Sequence, residues 1–377
     1  EAIPTILGFL DHDNPLIRRL AIETLGQIVD PSTLDYLLAK LDDPDVGCQQ
    51  GAVNSISALV DAFPEIKSDT LGKIRRLLSA PSVPVKLNSL SIFVNIQGEG
   101  YPDELLLASK DGDAVIRQKA VSLMGKFDER VFGDKLVLSL ADESPAVRLA
   151  AIQSLVKQRP ESGIAPLVSS LDDTDIWIRT AAAQALGEYR QPETLAPLIH
   201  HLETDQTPVK IAVIDALGKS ESAAVRDALF RQLEAEDPEI RRAALLALAR
   251  IPGEEVFDRL IDCLRSSDWR LRAAAAVALG NRGDALALPP LHYRLVSDGD
   301  PYVQQSVVVA LDRIPDPSSF PVLLKALETT TILDDVSDLF VRHKEMFRDL
   351  LEEAWRTADS RHEIVIAAIL QAMKGAP

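Results

Sequence analysis

Two kinds of residue in this chain could do chemistry by type and number: six histidines and a recurrent series of basic residues. The histidines are His12, His200, His201, His292, His343 and His362. A metal centre needs three or four such ligands converging on one point. His200 and His201 are neighbours, and on a helix their side chains diverge by about 100°, so they do not share one ion. Cys48 and Cys263 each stand alone, with no partner at zinc-site spacing. A phosphate-cradling loop, a nucleophile elbow and a dinucleotide fingerprint are all missing from the sequence. These residues point away from metal, nucleophilic and nucleotide chemistry, and no cofactor is expected.

The basic series carries a stronger pattern. Lys86, Arg117, Arg148, Arg179, Lys210, Arg241 and Arg272 follow one another at equal steps of 31 residues. Arg18 opens the series, and Gly47 takes the basic position 29 residues later. An insertion of eight residues precedes Lys86, and Gln304 follows Arg272 by 32. Ten units of one repeat result, which is the signature of a stacked array.

Each unit implies two helices. Before the basic residue comes an acidic or Pro turn, as in Asp13-Asn14-Pro15 and Asp237-Pro238. Such turns cap and open a helix. Apolar residues then recur one before and three, four and seven after the basic position, on one helical face. Gly26, Gly125, Gly187, Gly218 and Gly280 recur eight after it, where Gly either ends the helix or admits a close neighbour. The other helix opens near Pro31, Pro192 or Pro317, and a second Pro follows at Pro4, Pro166, Pro197, Pro290 and Pro321. These later prolines predict a bend within that helix.

Composition agrees with a helical array and limits its partners. The chain has 377 residues, 46% hydrophobic and 5% aromatic, which suits closely packed helices. Its net charge of −17 opposes binding of a polyanion by phosphate neutralisation, so no nucleic acid is expected. Residues 241–294 are the local exception, with nine Arg against six Asp and Glu. No apolar run reaches the length of a membrane span, so no membrane is expected. Two unpaired cysteines far apart along the array predict reduced thiols and a cytoplasmic setting.

The unit resembles a HEAT repeat, in particular the short type named after phycobilisome lyase subunits. The carrying motif is an Asp-x-Pro-x-Val-Arg turn followed by an Ala-Ala-x-x-Leu-Gly helix, as in Asp172 to Gly187 and Asp237 to Leu248. The resemblance implies an all-α, right-handed α-α superhelix of about ten helix pairs over residues 1–328. Residues 329–377 break the period and are expected as a C-terminal helical cap or docking element. There Phe340, Phe347, Leu351 and Trp355 suggest one longer amphipathic helix, followed by a last helix through Ile364–Met373. The family's Asp–Arg ladder implies that Arg148, Arg179 and Arg241 are structural, paired with turn carboxylates such as Asp172 or Asp205. Deoxyhypusine hydroxylase, similar in fold, holds iron through repeated His-Glu pairs; here only His362-Glu363 occurs.

In this family the second helices line the concave side. Their outward stripe falls two before, and one, five and nine after, the basic position. From the fifth unit it contains Leu149, Trp177, Ile211, Leu246, Val277, Tyr302 and Val309, among charges such as Asp215, Glu239, Arg242 and Arg250. Large apolar side chains rimmed by charge suit a protein or peptide partner. The expectation is a non-enzymatic interaction scaffold, and burial of Trp177 and Tyr302 is the finding that would sink this stripe. The resemblance alone supplies a second reading, a bilin lyase or chromophore-handling lyase subunit.

Overall fold

The structure is a computed structural model that describes residues 2–97, 103–357 and 360–375. The chain forms two compact units, residues 1–185 and 186–377. Among the described residues there are twenty-four α-helices, short 3-10 turns and no strand.

In the first unit the second helices of successive repeats pack on one another in the order Pro15–Ile28, Val46–Ala62, Val83–Gln97, Ala114–Met124 and Pro145–Gln158. In the second unit the same order runs through Thr207–Leu217, Pro238–Leu248, Trp269–Arg282, Pro301–Arg313 and Leu333–Arg342. The predicted core face is the buried one. Around Lys210, for instance, Val209, Val213, Ile214 and Leu217 are all at most 1% exposed. Each such side chain contributes about 1.5–3 kcal/mol by leaving water.

A turn carboxylate starts several of the second helices. Asp113, Asp175, Asp237, Asp268 and Asp300 each accept the backbone N–H two residues on, at 2.8–2.9 Å. The carboxylate satisfies an otherwise orphaned donor and so fixes the first helical turn.

The basic series links one repeat to the next turn. Arg18 grips Asp43, and Arg117 grips Asp142, each through two hydrogen bonds of 2.8–2.9 Å. Arg148 donates to Asp173 at 2.9 Å, and Lys86 reaches Asp111 at 2.7 Å. The partner of Arg148 is therefore Asp173, two before its helix cap, and not the neighbouring Asp172. The third nitrogen of each guanidinium turns back to the carbonyls five and six residues earlier, as from Arg148 to Asp142 and Glu143. Arg179 makes the same backward bonds to Asp173 and Thr174. Where Ser266 stands at the usual carboxylate position, the capping residue Asp268 accepts from Arg241 as well.

The recurrent glycines admit a close neighbour, and Gly125 and Gly218 also end their helices. A Cβ on Gly125 would lie 2.7 Å from the Cβ of Ser154, and one on Gly187 would lie 2.7 Å from the Cα of Ala216. Each of these glycines faces a small residue of the next second helix.

Two expectations need correction. The first helices do not run continuously through their prolines. Pro31–Thr33, Pro192–Thr194 and Pro317–Ser319 form 3-10 turns, and an α-helix follows each. Pro166, Pro197, Pro290 and Pro321 sit at the second or third position of that α-helix, where a missing N–H has no intrahelical acceptor to lose. A change of helix type thus replaces a bend inside one helix. The insertion before Lys86 is absorbed by longer helices, Val46–Ala62 and Lys67–Leu77. The C-terminal amphipathic segment is two helices, Leu333–Arg342 and Lys344–Thr357, which meet at His343. The break lets Phe340 and Phe347 pack edge to face at 5.2 Å, with Phe320 beside both.

Candidate functional site

The cap and the core together decide what the second helices show to solvent. With the residues before and three, four and seven after the basic position turned inward, position two before it must face out. In the first unit that position carries Leu16, Val115 and Trp177, and all three are exposed, Trp177 by 72%. Leu149, one after Arg148, is half-buried. Leu20 and Val46 add further exposed apolar surface near the N-terminus, which the fifth-unit starting point had left out.

In the second unit Tyr302 is 66% exposed and Val309 36%, while Ile211, Leu246 and Val277 are half-buried. Trp269 is outside the apolar stripe expected from the sequence. It lies three before the basic position, one residue off the stripe, yet its ring stacks on Tyr302 of the next helix with centroids 5.6 Å apart and planes 28° apart. The guanidinium of Arg270 lies 4.7 Å from the Trp269 ring centroid. The signal available in the sequence was the type of residue, an aromatic at a turn that in other repeats holds Pro, Thr or an aliphatic.

Charges elsewhere on the stripe of this unit are mostly engaged. Arg242 pairs with Glu239 at 2.8 Å and Arg250 with Asp215 at 3.0 Å. Lys219 lies 2.7 Å from Glu188 and 3.6 Å from Asp215. Burial opposes ionisation of Asp268, but its hydrogen bonds from Arg241 and the Arg270 N–H outweigh that and hold its carboxyl below the usual range.

The groups that could do chemistry are placed apart. The rings of His200 and His201 meet edge to face at 5.5 Å, and His201 faces Asp205 at 3.4 Å. His362 lies 3.4 Å from Glu328. Burial lowers the pKa of His292, whose Nε2 is 2.8 Å from the Ser319 hydroxyl. Among the described residues no group of three His, Cys, Asp or Glu side chains could hold a metal ion. Cys48 and Cys263 are free and buried, and burial pushes each thiol up to about 11. Among the described residues no helix is long and apolar enough to cross a membrane.

HEAT repeats are recognised in residues 1–57, 133–218, 205–279 and 257–336. No curated protein matches the sequence. Among solved structures, yeast importin-β (Kap95p) is similar with a TM-score of 0.67 at 15% identity, covering 99% of this chain and 61% of that one. The Kap95:Nup1 complex gives a TM-score of 0.68 at 14% identity, covering 100% and 61%. The chain therefore spans about three fifths of the length of these importin structures, and at such identities the likeness is one of fold. The complex of CpcE and CpcF of phycocyanin lyase from Nostoc is 21% identical over 61% of this chain and 94% of that chain. Its TM-score of 0.37 carries no argument.

Proposed function

Because the chain belongs to the HEAT-repeat family, we propose that it is a non-enzymatic scaffold that binds a protein or peptide on the exposed faces of its second helices. The observation that carries this reading is the exposure of Trp177 in one unit and of Tyr302 in the other. Neither side chain is needed by the core, and aromatic residues of this kind dominate binding hot spots. Kap95, of the same fold, is found in complex with Nup1, and that use of the fold agrees with the reading. Leu149 in the first unit and Ile211, Leu246, Val277 and Val309 in the second supply apolar contact beside these anchors. In the same reading residues 329–377 continue and cap the second unit, with Leu333–Arg342 packed on Pro301–Arg313.

Affinity capture from a lysate of the native cell tests the proposal. The wild-type chain and Leu286→Ala, which alters an exposed residue outside the second helices, should retain the same protein. Trp177→Ala or Tyr302→Ala should lose it. Capture unchanged in both variants removes the proposed surfaces.

A further inference from the structure

The exposed stripe of the second unit is opposite in sign to the chain that carries it. Across the helices Thr207–Leu217 to Pro301–Arg313, its positions, with Lys219 and Arg250 lying just past two helix ends, hold five cations and two carboxylates, whereas the chain as a whole has a net charge of −17. The two carboxylates, Glu239 and Asp215, are taken by Arg242 and Arg250. Lys219 is held by Glu188. Arg270 and Arg313 form no ion pair with a carboxylate among the described residues, although Asp268 lies near enough to Arg270 to feel its charge. Arg270 rests on the Trp269 ring, and Arg313 donates only to the amide oxygen of Asn281. Between them lie Tyr302, Val277 and Val309, the apolar part of the same stripe.

Resting on the scaffold reading above, we propose that this face of the second unit takes an acidic segment of a partner protein, with carboxylates meeting Arg270 and Arg313 and apolar side chains between them. Eleven residues of helix and one helix spacing separate the two arginines, roughly 19 Å. An extended chain covers that distance in about six residues. The expected segment thus carries acidic groups about six residues apart, flanking an aromatic or aliphatic side chain that packs on Tyr302. A nucleic acid fits the face less well. Its phosphates, one per nucleotide, would run on past Asp268 and Asp300 at the aromatic end, whereas a peptide with spaced acidic groups sets neutral residues there.

A random dodecapeptide library, selected on the full chain and counter-selected on Tyr302→Ala, tests this. The expected enriched peptides carry a net charge of −3 or lower and at least one aromatic residue. Their binding should weaken at least tenfold in Arg270→Glu and in Arg313→Glu. It should be unchanged in Arg265→Glu, a reversal on the exposed end of a first helix, and melting curves confirm that each variant is folded. Affinity should fall several-fold between 50 and 300 mM NaCl, because salt screens a local attraction. Neutral or basic peptides that still need Tyr302 would overturn the acidic preference and leave the docking surface standing. Failure to enrich any peptide that needs Tyr302 would overturn both. Displacement of the acidic peptides by equimolar oligo(dT) would overturn the choice of a protein partner.

Discussion

Arg272 reaches across the repeat boundary to Asp298 and holds both carboxylate oxygens, at 2.7 and 2.8 Å, while the Asp298 side chain is shut off from water. Removing the guanidinium would leave a buried charge with only Arg294, 3.7 Å away, to balance it. Loss of one partner from such a pair costs about 3–5 kcal/mol, so Arg272→Ala should destabilise by about 3 kcal/mol once Arg294 is allowed for. The control is Arg265→Ala, whose pair with Asp262 is exposed at 3.5 Å and should matter by less than about 1 kcal/mol. Urea unfolding of the two variants decides the matter. Equal midpoints would mean that the ladder does not hold the stack.

Gly280 sets a different constraint. A Cβ there would lie 2.6 Å from the Cα of Ala310, a backbone atom that no rotamer change can move. Gly280→Ala must push two helices apart and should cost about 1–3 kcal/mol. Gly72, within Lys67–Leu77, has nothing within 4 Å of the same hypothetical atom. There Ala is simply the better helix former, and Gly72→Ala should gain up to about 1 kcal/mol. Opposite shifts in melting temperature would confirm the contrast, and a gain at both sites would refute the close-approach account.

The two glycines also show what the sequence made legible. A constant step of 31 residues reports every feature that repeats with the stack, so the buried face, the caps and the positions of the recurrent glycines could be read from it, but not which of two roles each glycine plays. It could not separate Asp172 from Asp173, because either residue can reach a neighbouring turn and only the three-dimensional path of that turn selects one. Nor could it find the stack of Trp269 on Tyr302. Their positions differ by one residue in the repeat, and the contact depends on how far one helix is displaced along the next. The C-terminal break at His343 was hidden for a related reason, since an amphipathic period runs on through a helix break when both halves bury the same cluster of phenylalanines. Features outside the repeat need tertiary information.

The ladder carboxylates give the chain a defined response to acid. At Asp43, Asp142 and Asp298 burial alone would raise the pKa, but hydrogen bonds from Arg18, Arg117 and Arg272, helped by a backbone N–H, lower it instead. A carboxyl with a folded pKa below its unfolded value of about 3.9 binds protons more readily once the chain unfolds. Its stabilising contribution is therefore complete above about pH 4 and is lost as pH falls through the lowered folded value. The unfolding midpoint should not change through these groups between pH 7 and 5, and should drop steeply below about pH 4. Replacing Asp43 and Asp298 with Asn should make that acid-induced drop shallower while lowering stability at pH 7, because the charge-assisted bonds are gone at every pH. Thermal melts at pH 7, 5, 4 and 3 on both proteins measure the two effects. A double variant that keeps the wild-type loss between pH 4 and 3 would show that carboxylates outside the ladder govern acid unfolding.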